Sequence, residues 1–377
     1  MAKKESQQNL YDHSEAKVKL FGRYLSIYLN VLSRASFIKQ IYLYDLFCGE
    51  GVYRDGGKGS PIIALEAIKN HYYANNNTCP NLAVTFNDSE ESKIEPGKMK
   101  TKRVEEFARK IFCPPTVKIG YTNIDYTALV QKVIERTNKM DHNERALLFI
   151  DPWGYKEIDP EDIKDLLANG KTEVILFLPV YFMSRFTNKA VDDENYKGGE
   201  ALRKFFGKLF GHLDNVPRIN NQQDFIYQVQ ERFKTFLGLK YVDAFKIERD
   251  SNNWFCLFFF TSNKKGFQKM LDAKWSIDKK RGDGFKVGDD VTMELFTELE
   301  ISGYQEKVLN YVRANPNVTN HDLLDFGFEN NFLPKHTNAV LKELKKTYTI
   351  KIISLDGGPA RSTYIDDEKR VVNIQIE

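Results

Sequence analysis

The sequence predicts an α/β chain, in which a doubly wound, mostly parallel sheet is followed by a small helical C-terminal domain. Three observations predict it. Short, uniformly apolar runs recur between helical segments. Several of these runs end at an acid or a glycine turn. After the fifth run the rhythm stops, and past residue 300 the texture changes again to three helices and a turn signal.

Ser14 to Arg34 sets Val18, Leu20, Phe21, Tyr24, Leu25, Tyr28, Leu29 and Leu32 at helical spacing, which predicts a leading helix. The apolar runs are Gln40–Leu46, Leu82–Phe86, Val117–Tyr121, Ala146–Ile150 and Val174–Pro179. They do not alternate, as suits strands covered on both faces. Pro61–His71, Thr101–Phe112, Tyr126–Asn138 and Pro160–Leu167 read as the intervening helices. A helical insertion then occupies about 184–238. Tyr241–Ile247 and Trp254–Thr261, split by the turn-rich Arg249–Asn253, predict an antiparallel hairpin closing the sheet's edge. Ser276–Asp290, rich in Lys, Asp and Gly, reads as a linker. Beyond it, Tyr304–Asn315 is helical, Thr319 caps a short helix, and Pro334–Lys346 is a third. Lys351–Leu355 and Ser362–Ile365 flank Asp356-Gly357-Gly358-Pro359, a hairpin tip, so the pattern is a winged helix-turn-helix. The expected domains are 1–290 and 300–377.

At 42% hydrophobic and 13% aromatic, the composition supports a real core and excludes a disordered chain. A net charge of +3 does not by itself announce a nucleic-acid binder, so that role would need local patches. The four cysteines show no metal or disulfide spacing, and no histidine pair has ligand spacing. No apolar run approaches the roughly 18 residues needed to cross a bilayer. A cytoplasmic protein with reduced thiols is expected.

The stretch YLYDLFCGEGVY, Tyr42 to Tyr53, carries the first chemical signal. A glycine pair after a buried strand lets a ligand approach bare backbone, and the next helix offers free N–H groups. A dinucleotide site would put a third glycine where Arg54 stands, so NAD and FAD are disfavoured. Asp45 at the strand end instead suits a ligand with positive groups, and S-adenosylmethionine fits. Asp88, closing the second strand, is placed for ribose hydroxyls, and Asp125, after the third, for the adenine amine. Each acid also has a plainer reading as a helix cap.

Asp151-Pro152-Trp153-Gly154-Tyr155 follows the fourth strand, toward the same edge. Methylating an exocyclic amine needs acceptors for its protons and an aromatic to stack on the flipped base. Asp151, Pro152, Trp153 and Tyr155 are the candidates, although the usual second proline is missing. The plainer reading is a tight turn around a buried Trp. Cytosine-C5 chemistry is excluded, because no Pro-Cys nucleophile follows the fourth strand. The basic run KMKTKRVEEFARK, Lys98–Lys110, and the lysines of Pro334–Lys351 are candidate nucleic-acid surfaces, with solvated faces as the alternative. Phe205, Phe206 and Phe210 with Lys204 and Lys208 read either as a base-stacking strip or as a core helix.

These residues also resemble a family. His13-Ser14 and Lys17 in the leading helix, DLFCGEGVY, Gly59-Ser60-Pro61, FIDPWGY and the terminal winged helix are similar to the three-Cys-motif partner protein family. The resemblance covers most of the chain and is best from Lys17 to Tyr155. It implies a Rossmann-like class I methyltransferase sheet, with Asp45, Phe47, Gly49 and Gly51 in the cofactor loop and Asp151 to Gly154 in the reaction loop; Cys48, in the same loop, is a further cofactor-binding candidate. It also implies a companion protein bearing three cysteines, resembling radical-SAM proteins. The expected function is methyl transfer to nucleic acid, DNA or RNA. The alternative is a cofactor-binding or catalytically degenerate subunit that docks such a partner.

Overall fold

The computed structural model describes residues 12–75, 79–111, 113–193, 196, 199–217, 221–250, 253–278, 282, 284–286, 297–355 and 357–377. Lys279, Lys280, Arg281, Asp356 and most of the expected linker lie outside these residues. The chain divides into two compact units, Met1–Lys269 with Phe285–Gly288 and Met270–Gly284 with Asp289–Glu377.

The first unit is a mixed α/β structure consistent with a Rossmann-like fold. After α1 (Asp12–Ser33), strands β1 (Gln40–Asp45), β2 (Asn81–Asn87), β3 (Val117–Thr122), β4 (Glu144–Ile150) and β5 (Thr172–Leu178) alternate with helices. Those helices are α2 (Ser60–Ala74), α3 (Lys100–Ala108), α4 (Tyr126–Asn138) and α5 (Pro160–Leu167). The five strands run parallel in the order β3-β2-β1-β4-β5. Residues Ala146 to Ile150 and the whole of β5 are buried, as the unbroken apolar runs require. Phe21 of α1 stacks on Phe149 with ring centroids 4.3 Å apart, fixing the helix against the sheet.

The insertion comprises α6 (Val180–Asp192), α7 (Glu200–Phe210) and α8 (Gln222–Leu237). Phe205, Phe206 and Phe210 are all buried in the core, so this strip packs rather than stacks bases. Strands β6 (Tyr241–Asp250) and β7 (Asn253–Thr261) form the expected antiparallel hairpin. The sheet continues β5-β7-β6-β8, with α9 (Lys264–Ile277) preceding the short β8 (Gly284–Lys286), which takes the edge position expected of the hairpin. The later strand β7 sits inside because Trp254, Cys256 and Leu257 to Phe260 are buried on both faces, while β6 carries Asp243, Lys246 and Glu248 among its apolar residues.

At the amino edge of β5, Glu173 is buried and accepts hydrogen bonds from Tyr24 Oη at 2.5 Å and Thr261 Oγ1 at 3.0 Å. Burial pushes its carboxyl up to about 7, against the pull of those two donors and of Arg145. An acid raised in the folded state contributes stability that is fully present below its unfolded value and is lost as pH rises through about 7. Glu173→Gln is therefore expected to gain about 3 kcal/mol on wild type between pH 4.5 and pH 8. Urea denaturation at the two pH values measures it, and parallel curves would refute the assignment.

The second unit holds α10 (Thr297–Ala314), α11 (Asn320–Glu329), α12 (Pro334–Leu344) and an antiparallel pair, β9 (Ile350–Ser354) with β10 (Val372–Ile376). Thr319 caps α11 in a reciprocal capping box with Asp322, as the sequence predicts. Tyr304 stacks on Phe332 at 3.8 Å, and its hydroxyl bonds Thr337 Oγ1 at 2.7 Å. One expectation fails. Ser362–Ile365 is not a strand, and the partner of β9 is β10. The chain does reverse after β9, where Ser354 N–H donates to Gly358 O at 2.8 Å. Tyr364 then takes φ +48°, which turns the chain out of any ladder.

Candidate active site

The carboxyl ends of β1, β2, β3 and β4 lie on one edge. Asp45 is level with Phe86 of β2 and with Phe149 of β4. This register carries Asp45, Asp88 and Asp151 to the same side of the sheet, where open α/β folds bind ligands.

Asp45 is 0% exposed. Its Oδ2 accepts from Ser60 Oγ at 2.6 Å, so the serine of Gly59-Ser60-Pro61 serves the acid and opens α2 in the same step. Among the described residues no hydrogen bond reaches Oδ1. Burial pushes this carboxyl up to about 8. Asp151 and Asp88 push the same way, while Ser60 and the Phe47 N–H pull it down.

The loop that follows needs its glycines. Gly49 has φ +64° and Gly51 has φ +74°, conformations other residues rarely adopt. A Cβ at Gly51 would stand 3.0 Å from a methyl of Val104, so α3 also crowds that position. Asp88 holds the loop, accepting from Gly49 N–H at 3.1 Å through Oδ2 and from Glu90 N–H at 2.9 Å through Oδ1. Lys100 reaches the same carboxylate at 3.3 Å. Burial raises the Asp88 carboxyl against the lysine's pull.

Under the loop lies an ion pair that the sequence reading missed. Glu50 is 2% exposed and Arg103 is 4% exposed, and the two form a salt bridge. Arg103 also donates to the Glu50 and Val52 carbonyls, each at 3.1 Å. Ser92 Oγ and Lys93 N–H donate to the Glu50 carboxylate, each at 2.7 Å. The rest of the Lys98–Lys110 run is also paired. Lys98, Lys100, Lys102 and Arg109 meet carboxylates, and Lys110 lies over the Phe107 ring. Among the bases of the run only Arg103 is buried, and Lys102 and Arg109 are paired on a solvated helix face.

Asn87 ties the strand ends together. Its amide donates to the Leu46 and Ile124 carbonyls at 3.2 and 3.0 Å, and its Oδ1 accepts from Ile124 N–H at 3.0 Å. Phe47 stacks on Tyr126 at 5.0 Å. Cys48 donates its backbone N–H to Asn87 O at 2.8 Å, and burial pushes its thiol well above the ordinary range. That thiol is no nucleophile. Asp125 is exposed and caps α4 through Thr127 N–H at 2.9 Å. Among the described residues no cluster of His, Cys, Asp and Glu could hold a metal ion, and no helix is long and apolar enough to cross a membrane.

In the loop after β4, Pro152 is buried and Tyr155 is half-buried, while Trp153 is 58% exposed. The turn is therefore not built around a buried Trp. Asp151 Oδ2 pairs with Lys17 Nζ of α1 at 2.5 Å, and that ammonium lies 4.3 Å from the centroid of the Phe177 ring. Tyr53 closes the group. Its hydroxyl would stand 3.2 Å from a Cβ at Gly49, and burial followed by the Asp151 charge raises its proton affinity.

No family model matches the chain, and no curated protein matches it. Among solved structures, it is similar to a DUF574 family protein from Streptomyces avermitilis. The alignment covers 63% of this chain and 81% of that one at 9% identity and a TM-score of 0.29.

The ammonium and sulfonium of S-adenosylmethionine are cations, and Asp45 Oδ1 is a buried acceptor without a partner among the described residues. The left-handed glycines leave backbone bare beside it. The residues present fit the group.

Proposed function

We propose that the first unit binds S-adenosylmethionine at the Asp45–Gly51 loop and transfers its methyl group to a nucleic acid. The observation that carries the reading is the buried, half-partnered Asp45 beside two left-handed glycines at the carboxyl edge of β1. The strand order β3-β2-β1-β4-β5-β7-β6, with β7 antiparallel, supports a class I methyltransferase sheet. It agrees with the resemblance to the three-Cys-motif partner family.

When bound, the cofactor supplies a methyl group on a cationic sulfur, an electrophile that needs only an aligned nucleophile. Asp45 would meet its positive charge, with Phe47, Cys48, Gly49 and Gly51 giving backbone and wall. Asp88 would brace the loop and face the ribose, and Asp125 would border the adenine. Asp151 and Pro152 would orient the acceptor, with Trp153 or Tyr155 against its ring. Calorimetric titration of the full-length chain with S-adenosylmethionine tests the reading. Asp45 keeps its proton at pH 7 because burial holds it up at about 8. Pairing with a cation removes that proton. Binding at pH 7 is expected to release about one proton and to tighten up to tenfold per pH unit until about pH 8. Absence of binding to the folded chain would refute the proposal.

The second unit's three helices and antiparallel pair support a winged helix-turn-helix reading, with α12 as the nucleic-acid surface. Lys335, Lys342 and Lys345 are exposed and share one stripe with Asn338, and none has a carboxylate partner among the described residues. Lys346 and Lys351 are paired with Glu343 and Glu377. The pair Lys342→Ala and Lys345→Ala is expected to lower the salt slope of nucleic-acid binding by roughly 2. Fluorescence anisotropy across a salt series measures it, and an unchanged slope would assign the stripe to another role.

A further inference from the structure

The Lys17–Asp151 pair has a consequence for the substrate that rests on the methyltransferase reading. Asp151 has one oxygen, Oδ2, held by Lys17 at 2.5 Å. Among the described residues, Lys17 is the partner of this carboxylate, and Oδ1 has none. Lys17 is itself nearly buried, and the Phe177 ring covers part of its ammonium at 4.3 Å. An ammonium has three donors and the carboxylate uses one, so donors remain beside the free Oδ1. Helix α1 and the loop after β4 thus present a hydrogen-bond donor and an acceptor side by side. Asp45 from β1 and Tyr53 from the glycine loop are titratable groups close enough to feel the charge of Asp151. The exposed Trp153 stands two residues along the same loop.

We infer that Lys17 and Asp151 together read the amino-bearing Watson–Crick edge of an unpaired adenine or cytosine. Asp151 Oδ1 accepts a hydrogen from the exocyclic amine, and Lys17 donates to the ring nitrogen next to it. Trp153 offers a face for the extruded base. The amine lone pair forms the new N–CH3 bond as the S–CH3 bond breaks, and that bond's electrons return to sulfur, leaving a neutral thioether. The nitrogen's surplus proton leaves to water by way of Asp151. Lys17 acts as a positioning and specificity residue, since it holds the carboxylate and checks the neighbouring atom.

The experiment compares single-stranded oligonucleotides that carry adenine or 1-deazaadenine, and cytosine or 3-deazacytosine, as the only amino base. Each is tested with the full-length chain for equilibrium binding in the presence of S-adenosylhomocysteine and for methyl transfer from labelled S-adenosylmethionine. For wild type, replacing the ring nitrogen by C–H is expected to cost at least tenfold in kcat/KM and several-fold in affinity. Lys17→Met should treat each pair of probes alike, and Lys17→Arg should restore part of the discrimination. A merely structural lysine would lower both probes equally and leave their ratio unchanged. Wild type that handles both probes equally, or methylates neither adenine nor cytosine while binding S-adenosylmethionine, overturns the assignment without needing any variant. Failure of S-adenosylmethionine itself to bind would instead refute the methyltransferase reading, and this inference with it.

Discussion

Asp45→Asn is expected to fold normally and to bind S-adenosylmethionine at least a hundredfold more weakly than wild type. The amide keeps the shape and can still meet Ser60, but it cannot balance a buried cation. Truncating one partner of a buried, hydrogen-bonded charge pair costs about 2–5 kcal/mol, and about 2.7 kcal/mol is already a hundredfold. The same substitution has an opposite effect on stability. Burial holds the Asp45 carboxyl up at about 8, so its contribution is fully present below the unfolded value and falls as pH rises through about 8. The asparagine variant carries no such loss. It should gain on wild type in urea melts between about pH 4 and pH 8, by an amount on the order of 5 kcal/mol at most. A variant weakened in binding and also destabilised at high pH would mean that Asp45 is a structural acid and not a ligand acid. Affinity within threefold of wild type would remove Asp45 from the site altogether.

Arg103→Met is expected to cost about 3–5 kcal/mol of stability, because it leaves the Glu50 carboxylate buried without its cation. Ser92 and Lys93 continue to donate to Glu50, but neither brings charge. The loss is not confined to the pair. Arg103 also holds the Glu50 and Val52 carbonyls on either side of Gly51, so the glycine loop loses its floor and cofactor affinity should fall with stability. Adding Glu50→Gln removes the orphaned charge and should return at least half of the lost stability while leaving the loop loose. Denaturant midpoints for the single and double variants, with calorimetry for the cofactor, separate the two effects. Equal stability of Arg103→Met and wild type would mean that Glu50 is solvated.

Much of the first unit is legible in the sequence because parallel strands covered on both faces are apolar without interruption. Gln40–Asp45, Glu144–Ile150 and Thr172–Leu178 stand where the runs put them. The strand-end acids are legible for the same reason, since a carboxylate closing an apolar run has few places to go. Arg103 was not legible. It sits in a run of bases and acids whose pattern matches a solvated helix face, and only the fold reveals that this one guanidinium points inward. Lys17 and Asp151 are 134 positions apart, and nothing local links them. Ser362–Ile365 misled through a true signal. The Asp-Gly-Gly-Pro turn does reverse the chain, but Tyr364 turns away before a ladder can form, and the pairing passes to Val372–Ile376. The exposure of Trp153 likewise depends on what surrounds the loop, which composition does not record.

The place of β7 between β5 and β6 bears on how the chain emerges from the ribosome. Strand β5 is buried along its whole length, yet its outer neighbour is completed only at Thr261, roughly eighty residues later. At about 5–20 residues per second, several seconds pass with a long apolar edge unpaired. Such an edge is a template for a second nascent chain. The helices α6 to α8 and strand β6 are made during that interval and are the described elements available to cover it. Fragments ending between Leu178 and Gly238 should accumulate as aggregates or as chaperone clients, while those reaching Thr261 should be released soluble.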